Sequence, residues 1–416
     1  MLARYRDLPR PVWLLCFGAF LSRAGAMVMP YLALYLTSSR GFSPSSATLV
    51  LGAFGVGSVV ASVLGGALAD HVGRKPVMVG ALALAAVALT AIAHAEGDAA
   101  VVAAIVAFAI TGDSYRPAAS AMLGDLTQGE AQTRAYALMY VAVNLGFTVG
   151  SSVGGWLVVR SSYDTLFVVD AVAQATFAGL IMVALAETLP GRRGGAEPAP
   201  GVGSSPAGGS GSTSALRVIL GDGPFLGLVF ANFVVTVVFI QAFSTLPLEM
   251  AAHGVPTDVY GRVMAVNGAL IVALQLPLAE WLSRRDRGLW LAIGAAAIAV
   301  GFALHGVVRA PLAIAGCVAV WTVGEICMAA LAQPLVVDRA PPALRARYLG
   351  TFSTSFALAF CVGPPIGGWV FERFGGGVLW AAAGVGGLAG AGLLLALRRG
   401  LAPGATPEAP AGRLSA

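Results

Sequence analysis

Long apolar runs recur from one end of the chain to the other, and they restrict its fold more than any other feature. Residues 77–93, for example, contain no charged side chain, and apolar positions there do not alternate with polar ones. A helix needs about 20 such residues to cross a bilayer core, whereas a strand of a membrane barrel alternates over about 10. Because backbone polar groups in lipid must pair internally, these runs predict transmembrane helices.

Composition supports an integral membrane protein of the all-α class. Only 11% of the residues are charged and 57% are hydrophobic, whereas soluble domains are about 25% charged. The first run is too long for the apolar region of a signal peptide, so we predict that it is a span. The twelve predicted spans are residues 12–36, 47–69, 76–95, 99–123, 134–159, 165–187, 225–249, 259–282, 288–307, 311–335, 347–371 and 378–397.

The cysteines all fall inside apolar runs, with no CxxC pair. We expect them to be small buried hydrophobic residues, neither disulfide-bonded nor metal-binding, and we predict no metal site. The four residues are Cys16, Cys317, Cys327 and Cys361.

Basic residues are distributed unevenly between the two ends of the predicted spans. If the N-terminus is inside, the inner segments hold 18 of the 25 Lys and Arg residues and the outer segments hold five. Basic residues favour the cytoplasmic side, so we predict cytoplasmic termini and a location in the cell inner or plasma membrane. We attribute the sequence pI of 9.2 to the basic residues of this cytoplasmic face, and we expect no nucleic-acid partner.

One stretch, Pro190–Ser214, is dominated by Gly, Ser and Pro and separates six spans from six. This composition predicts a flexible linker. We therefore expect an N-terminal six-helix half at residues 1–189, a cytoplasmic linker at 190–216, a C-terminal six-helix half at 217–400 and a disordered tail at 401–416.

The two predicted halves also repeat in sequence. Several residues of the first half recur 213 positions later, and a fainter match recurs after 210 positions. Two parallel six-span halves related by an axis along the membrane normal are a transporter architecture. The matched pairs are Asp125 and Asp338, Arg134 and Arg347, Gly150 and Gly363, Gly155 and Gly368, and Trp156 and Trp369 at 213, with Asp70 and Glu280, and Arg74 and Arg284, at 210.

The segment "GGALADHVGRKP", Gly65–Pro76, concentrates charge between two apolar runs. Asp70 ends the second span, and an acid at a helix C-terminus is unfavourable unless a cation compensates for it. Arg74 and Lys75 lie close by, Gly73 permits the sharp turn, and the more distant Arg134 opens the fifth span on the same face.

Two interpretations of this segment remain open. It is either a solvated cytoplasmic loop or an ionic latch between Asp70 and Arg134 that holds one conformation of a moving bundle. The repeat supplies the latch pair a second time, as Glu280 and Arg347.

The same segment resembles the loop between spans two and three of the major facilitator superfamily. The twelve spans, the central linker and the second copy agree, so the resemblance covers nearly the whole chain. It implies a secondary transporter in which Asp70 and Arg74 belong to a cytoplasmic charge network that gates alternating access. No Gly-Lys-Ser/Thr phosphate loop is present, since the sole lysine, Lys75, precedes a proline. We therefore expect no ATP hydrolysis, no enzyme activity and no cofactor apart from a proton gradient.

Glycine patterns add a resemblance to the drug–proton antiporters within that family. The fifth span, "GFTVGSSVGG", is similar to their glycine motif, although Ser151 stands where the motif has proline; the repeat copy "GPPIGG" has the proline form. "GEICMAALAQP" is similar to a Gly-Glu segment in span ten of some drug-efflux members. Glycines four residues apart also let helices approach closely in lipid, and packing is the alternative explanation. The glycines concerned are Gly146, Gly150, Gly154, Gly155, Gly363, Gly367 and Gly368.

Four charged residues lie inside predicted spans: Arg23, Asp113, Arg116 and Glu325. Such residues are costly in lipid and are functional by default. At 1.5 Å per residue, Arg23, Asp113 and Glu325 lie about 20, 18 and 20 Å from the inner ends of their helices, near mid-membrane. They belong to spans one, four and ten, which line the central cavity in the family that the chain resembles.

The carboxyl groups of Glu325 and Asp113 are the candidates for proton coupling. Glu325 has no basic residue near it on its own helix, whereas Asp113 and Arg116 can pair at i,i+3. Desolvation favours the protonated form of a carboxyl group, so Glu325 is the principal candidate and Asp113 the second. The alternative is a set of static ion pairs with Arg23 and Arg116.

Other polar residues and prolines give weaker indications. We expect Asp170 to be an interfacial hydrogen-bonding residue near the outer end of span six. Polar residues of spans seven and eight either face substrate or bond to neighbouring helices, and five prolines are expected to kink their helices. These residues are Asn232, Gln241, Asn267 and Gln275, and Pro30, Pro117, Pro247, Pro277 and Pro334.

The leading hypothesis is a proton-coupled exporter of a hydrophobic or amphipathic small molecule. The spans expected to line the cavity carry few hydrogen-bonding groups, which favours an apolar substrate. The alternatives are a proton-coupled symporter or facilitator that imports a small nutrient and, from a different class, a non-transporting membrane sensor. The expected partners are the substrate, protons and the lipid bilayer, and the expected oligomeric state is a monomer.

Overall fold

A computed structural model describes residues 7–189, 212–341 and 344–401. Within these ranges every regular element is a helix, and eleven helices are long and apolar enough to cross a membrane. The last of them, Arg345–Leu397, has 53 residues, or about 80 Å, against a bilayer core of about 30 Å. Gly375 interrupts it with φ 80° and ψ 169°, so this helix is two spans and the total of twelve agrees with the prediction.

The bounds of the spans differ from the predicted ones by a few residues, because polar residues such as Arg74 and Arg160 extend helices beyond the apolar core. The described spans are span 1, Arg10–Ser39; span 2, Pro44–His71; span 3, Arg74–His94; span 4, Asp98–Leu126; span 5, Gly129–Arg160; span 6, Tyr163–Ala184; span 7, Gly223–Ser244; span 8, Thr257–Ser283; span 9, Arg287–Leu304; span 10, Pro311–Arg339; and spans 11 and 12, the parts of Arg345–Leu397 before and after Gly375.

Three of the spans are broken. Span 1 comprises α-helices Arg10–Gly25 and Val28–Leu34 and a π-helical turn, Tyr35–Ser39. Span 4 comprises Asp98–Gly112 and Tyr115–Leu126. Span 7 comprises Gly223–Phe239 and Gln241–Ser244, and a further helix, Leu246–Ala252, follows it.

Three of the five prolines expected to kink helices lie just after these breaks. Pro30, Pro117 and Pro247 each follow a break by two to four residues. A proline cannot donate to the carbonyl four residues earlier and its ring collides with that carbonyl, which ends the preceding helix. Pro277 and Pro334 lie inside helices that continue past them, and a kink at these two positions stays a prediction.

The predicted linker and tail lie mostly outside the described residues, namely residues 190–211 and those beyond Leu401. The last five residues of the predicted linker instead begin a helix, Ser212–Gly221. Leu216, Ile219 and Leu220 lie three and four positions apart, which is the spacing of an amphipathic helix. Ile219 is buried, whereas Leu216 and Leu220 are exposed.

The helix bundle has two ends, a basal face and a distal face. The basal face holds Arg10, His71 and Arg74, and the distal face holds Ser39 and Pro44. The free cysteines Cys16, Cys317 and Cys327 are buried between the helices, as predicted, while Cys361 is half-buried.

Spans 2 and 11, and spans 5 and 8, join the two halves. Their close contacts lie in the distal half, where small residues bring backbones together. A Cβ atom added to Gly52 would lie 2.7 Å from the Cys361 carbonyl oxygen, and one added to Gly155 would lie 2.8 Å from the Asp258 Cα. Tyr31 and Tyr260, from opposite halves, meet edge to face with 5.5 Å between their ring centroids.

Some motif glycines pack against a helix of their own half, and others pack against a helix of the other half. Gly146 and Gly150 lie against the backbone of span 1, where added Cβ atoms would come within 2.6 Å of the Phe20 carbonyl oxygen and 2.8 Å of the Ala24 carbonyl oxygen. Gly155 faces span 8 of the other half, and its repeat counterpart, Gly368, faces Thr48 on span 2 of the other half. The repeat therefore places one glycine on each side of the interface between halves.

Gly155→Ala should destabilise the closed distal interface. The added methyl has no room beside Asp258 and Tyr31, and overpacking of this kind costs about 1–3 kcal/mol. We expect a lower thermal unfolding midpoint in detergent. Gly179→Ala on span 6 is the matched control, since nothing lies within 4 Å of an added Cβ there; equal midpoints for the two variants would contradict the packing argument.

Candidate functional site

A cavity of about 750 Å³ occupies the basal half of the bundle between spans 5, 7, 8, 10 and 11. This volume lies within the range of about 300–1,000 Å³ typical of small-molecule sites. Its wall is mainly apolar and aromatic, with polar groups at a few positions. The polar and ionisable lining residues are Tyr140, Asn144, Asn232, Thr236, Gln275, Glu325, Gln333 and Ser353.

Glu325 is the one acidic residue among the described residues that line this cavity. Its Oε2 accepts a hydrogen bond of 2.7 Å from Nδ2 of Asn267. The same Nδ2 also donates to the Thr322 hydroxyl at 3.1 Å. Within the described part of the chain, no arginine or lysine forms an ion pair with it. Glu325 thus lies on the cavity wall with neutral partners alone, at a place where an unpaired negative charge is costly.

Asp113 is differently placed, at the break between the two helices of span 4. Its Oδ1 lies 3.4 Å from Nη2 of Arg23 on span 1 and 3.4 Å from Nη1 of Arg116. Two guanidinium groups share this single carboxylate, and the cluster carries a net positive charge. The ion pairs with Arg23 and Arg116, predicted as the alternative to proton coupling, therefore form at Asp113 and not at Glu325 in this conformation.

Asp170 forms hydrogen bonds as expected, but it is fully buried rather than interfacial. Its Oδ1 accepts a bond of 3.0 Å from Gln174, whose own oxygen accepts one of 3.0 Å from Ser22 on span 1. Helix contact between spans 1 and 6 at Gly25 and Ala173 excludes solvent from this position, and a single sequence does not reveal such a contact.

The polar residues of spans 7 and 8 divide between the two expected roles. Gln241 donates to the Gly363 carbonyl at 2.9 Å, and so bonds to a neighbouring helix. Asn232 lines the cavity and also donates to Ser355 at 2.9 Å. Gln275 faces the cavity, and its Oε1 has no hydrogen-bond partner among the described residues.

At the basal face, Arg74 lies between two acids, 3.3 Å from Asp70 and 3.4 Å from Asp125. Arg134 pairs at 2.7 Å with Asp7, which precedes span 1, and not with Asp70. The predicted latch contact is therefore not formed in this conformation. In the second copy, Glu280 lies 3.3 Å from Arg284, and Arg347 lies at the start of span 11.

Sequence reasoning missed a further group in this network, Glu187, just after span 6. Its two carboxylate oxygens accept the backbone N–H groups of Arg74 and Lys75 at 3.1 Å each, which caps the start of span 3. Gly73 has φ 118°, and a Cβ there would lie 2.5 Å from the Glu187 carboxylate. The capping group comes from a remote span, so no local motif could reveal it.

Electrostatics at Glu187 favour the ionised form. Burial by itself would raise its pKa, but hydrogen bonds from the backbone N–H groups of Leu189, Thr188, Arg74 and Lys75 outweigh this effect. The pKa of Glu187 therefore lies below its ordinary value of 4.5.

Two six-helix halves that meet at their distal ends, with a charged turn at Gly73 between spans 2 and 3, are the architecture of secondary transporters. The cavity is bordered by span 5 and by spans of the C-terminal half, and Arg23, Asp113 and Arg116 are not among its lining residues. The family model of the Major Facilitator Superfamily matches residues 13–364, and the chain belongs to this family. It is therefore a multi-pass membrane transporter and not an enzyme.

Known proteins similar to the chain agree with this family. An uncharacterised MFS-type transporter of Bacillus subtilis, YqjV, is 27% identical over 90% of this chain and 89% of its own. The multidrug resistance protein MdtH of Aeromonas hydrophila is 24% identical over 88% of this chain and 89% of its own. The crystal structure of the peptide transporter POT in complex with sulfate has the same fold, with a TM-score of 0.76, 16% identity and coverage of 95% of this chain and 96% of that chain.

Glu187→Gln should lower stability at neutral pH, because an amide accepts the Arg74 and Lys75 N–H groups less strongly than a carboxylate. Since the native pKa lies below 4.5, this contribution is present above about pH 4.5 and is lost as the pH falls through the native pKa. Unfolding midpoints of the wild type and the variant should thus differ at pH 7 and converge in acid. The control is Glu96→Gln, an exposed glutamate; a difference between wild type and Glu187→Gln that is independent of pH would contradict this argument.

Proposed function

We propose that the protein exports a hydrophobic or amphipathic small molecule in exchange for protons, by alternating access. The observation that carries this proposal is the position of Glu325. It brings a carboxyl group to the wall of the cavity with Asn267 and no cation beside it, whereas Asp113 already has two arginines. A carboxyl group in such a place can bind and release a proton as its surroundings change.

The basal face is proposed to be cytoplasmic, because the loops and termini at that end hold most of the basic residues. The termini are then cytoplasmic, and the cavity lies in the cytoplasmic half beneath a closed distal interface. Substrate would enter from the cytoplasm or from the inner leaflet. This is the state from which an export cycle loads its substrate.

The apolar wall of the cavity supports the proposed substrate class. Fourteen of the 22 lining residues are apolar, among them Phe239, Ile271 and Phe356, and the other eight carry polar groups. Such a surface binds apolar molecules through burial and orients them through a few hydrogen bonds. The name of the relative MdtH, a multidrug resistance protein, agrees with this class.

Coupling would arise from the cationic cluster at Asp113. Asp113 needs one cation for neutrality, and Arg23 and Arg116 supply two. An arginine that approaches Glu325 in one conformation and withdraws in the other would stabilise the ionised form only in the first. Proton affinity would then depend on conformation, which lets a proton gradient drive the cycle.

The charges of the basal loop are proposed to gate this cycle. The Asp70 side chain is 56% exposed in the present state, so it is accessible to a partner such as Arg134 when the basal ends of the spans approach one another. Gly73, Lys75, Glu280 and Arg347 complete the proposed network. The motif glycines are proposed to serve helix packing.

Glu325→Gln tests the proposal in proteoliposomes with an imposed pH gradient and a panel of lipophilic dyes. The variant mimics permanent protonation, so it should exchange dye down its own gradient at a rate close to that of wild type. It should lose pH-driven accumulation, because a side chain that cannot release a proton cannot couple the conformational change to the proton gradient. Glu96→Gln, which removes an exposed distal carboxylate, should behave as wild type.

Other outcomes separate the alternatives. Full pH-driven transport by Glu325→Gln, combined with its loss in Asp113→Asn, would move the coupling role to Asp113. Equal wild-type transport with and without the gradient would identify a facilitator. Dye entry in the direction of proton flow would identify a symporter.

A further inference from the structure

A second cleft, of about 470 Å³, lies at the basal face where span 9 begins and span 12 ends. Four of its lining residues are arginines: Arg285, Arg287, Arg398 and Arg399. The start of span 9 and the end of span 12 meet at its floor, where a Cβ added to Gly288 would lie 3.0 Å from the Cβ of Arg398. The cleft is separate from the transport cavity and shares no lining residue with it.

The acids near this cleft neutralise its charge only in part. Asp338 pairs with Arg287, and Asp286 caps span 9 by accepting the Leu289 N–H at 2.9 Å. The Arg285 guanidinium lies 4.8 Å from the centroid of the Trp281 ring. Arg398 and Arg399 form no ion pair within the described residues, so four arginines meet two acids and a net positive charge remains.

The internal repeat shows what occupies the equivalent place in the other half. By position along the helices, Arg74 opens span 3 and Arg287 opens span 9, while Glu187 and Gly400 each lie three residues after the end of the last span of their half. In the N-terminal half the Glu187 carboxylate fills the junction between the start of span 3 and the end of span 6. In the C-terminal half that position has no side chain, and the junction is lined with arginines instead. No carboxylate therefore reaches this cleft from the end of span 12, and the start of span 9 is capped by the neighbouring Asp286 instead.

The side of the cleft that faces lipid has the features of a membrane interface. Trp281 is 40% exposed, and its ring meets Trp290 edge to face at 4.6 Å. Tryptophan is enriched at the level of lipid headgroups. On spans 9 and 12, which border the cleft, the hydrophobic side chains of Ile293 and Leu395 are 41% and 44% exposed. An apolar surface therefore adjoins the cationic cleft.

We propose that this cleft binds the headgroup phosphate of an anionic phospholipid. Guanidinium groups match the geometry of phosphate oxygens, and basic pockets between transmembrane helices bind anionic lipid headgroups. The exposed Ile293 and Leu395 provide a surface for the acyl chains, which a free phosphate ion would not use. This inference does not rest on the proposed transport activity, and its test measures lipid binding alone.

The test uses the full-length protein in neutral detergent and measures retention of phosphatidylglycerol and phosphatidylcholine by native mass spectrometry. Wild type should retain phosphatidylglycerol preferentially. The double variant Arg398→Gln/Arg399→Gln should weaken it by about 20-fold, since one arginine near an anionic headgroup is worth about fivefold in affinity. The control, Arg217→Gln/Arg373→Gln, removes the same charge from two exposed side chains elsewhere and should keep the wild-type preference.

Three results would overturn the proposal. The first is equal retention of both lipids by wild type. If a preference for phosphatidylglycerol then appears only after removal of residues 402–416, the occupant of the cleft is the chain's own tail and not a lipid. The second is an unchanged preference in the Arg398→Gln/Arg399→Gln variant. The third is complete displacement of the lipid by millimolar inorganic phosphate, which would show that the cleft recognises phosphate without the acyl chains.

Discussion

An uncompensated charge is costly inside a bilayer, and the arrangement of ionisable groups within the spans follows from that cost. Asp113 is placed at a helix break where Arg23 and Arg116 both reach it. Asp222, buried at the start of span 7, pairs with Arg339 and accepts a hydrogen bond from Tyr348. Asp170 and Glu325 depart from this rule, since among the described residues their hydrogen-bond partners are neutral. Of these two, Glu325 lies on the wall of the cavity, where a change of charge can be linked to substrate.

Much of the fold could be predicted from the sequence, because lipid imposes a length and a composition on each helix. The twelve spans, the six-plus-six division and the family follow from apolar runs, from the 213-residue repeat and from one charged turn. The positions of Arg23, Asp113 and Glu325 near the middle of their spans also follow, since distance along a helix is a matter of counting residues. The prolines also indicate helix breaks, as at Pro117, although the helix that contains Pro277 continues past it.

Contacts between remote parts of the chain could not be predicted. Arg134 pairs with Asp7 rather than Asp70, and Glu187 caps a helix 113 residues away. Each contact depends on how the basal ends of several helices are assembled, which no local spacing encodes.

The distal interface has a consequence for leakage. It joins the halves largely through backbone and small side chains at Gly52, Gly155 and Gly368. Dispersion contacts of this kind lose a quarter to a half of their energy over a gap of about 0.5–1 Å. Partial separation therefore gives up a quarter to a half of this attraction without gaining the contacts of the opposite state. Such an interface is stable when it is closed or fully separated, and unstable between these states. A partly open protein with a continuous pathway, which would dissipate an ion gradient, is therefore disfavoured.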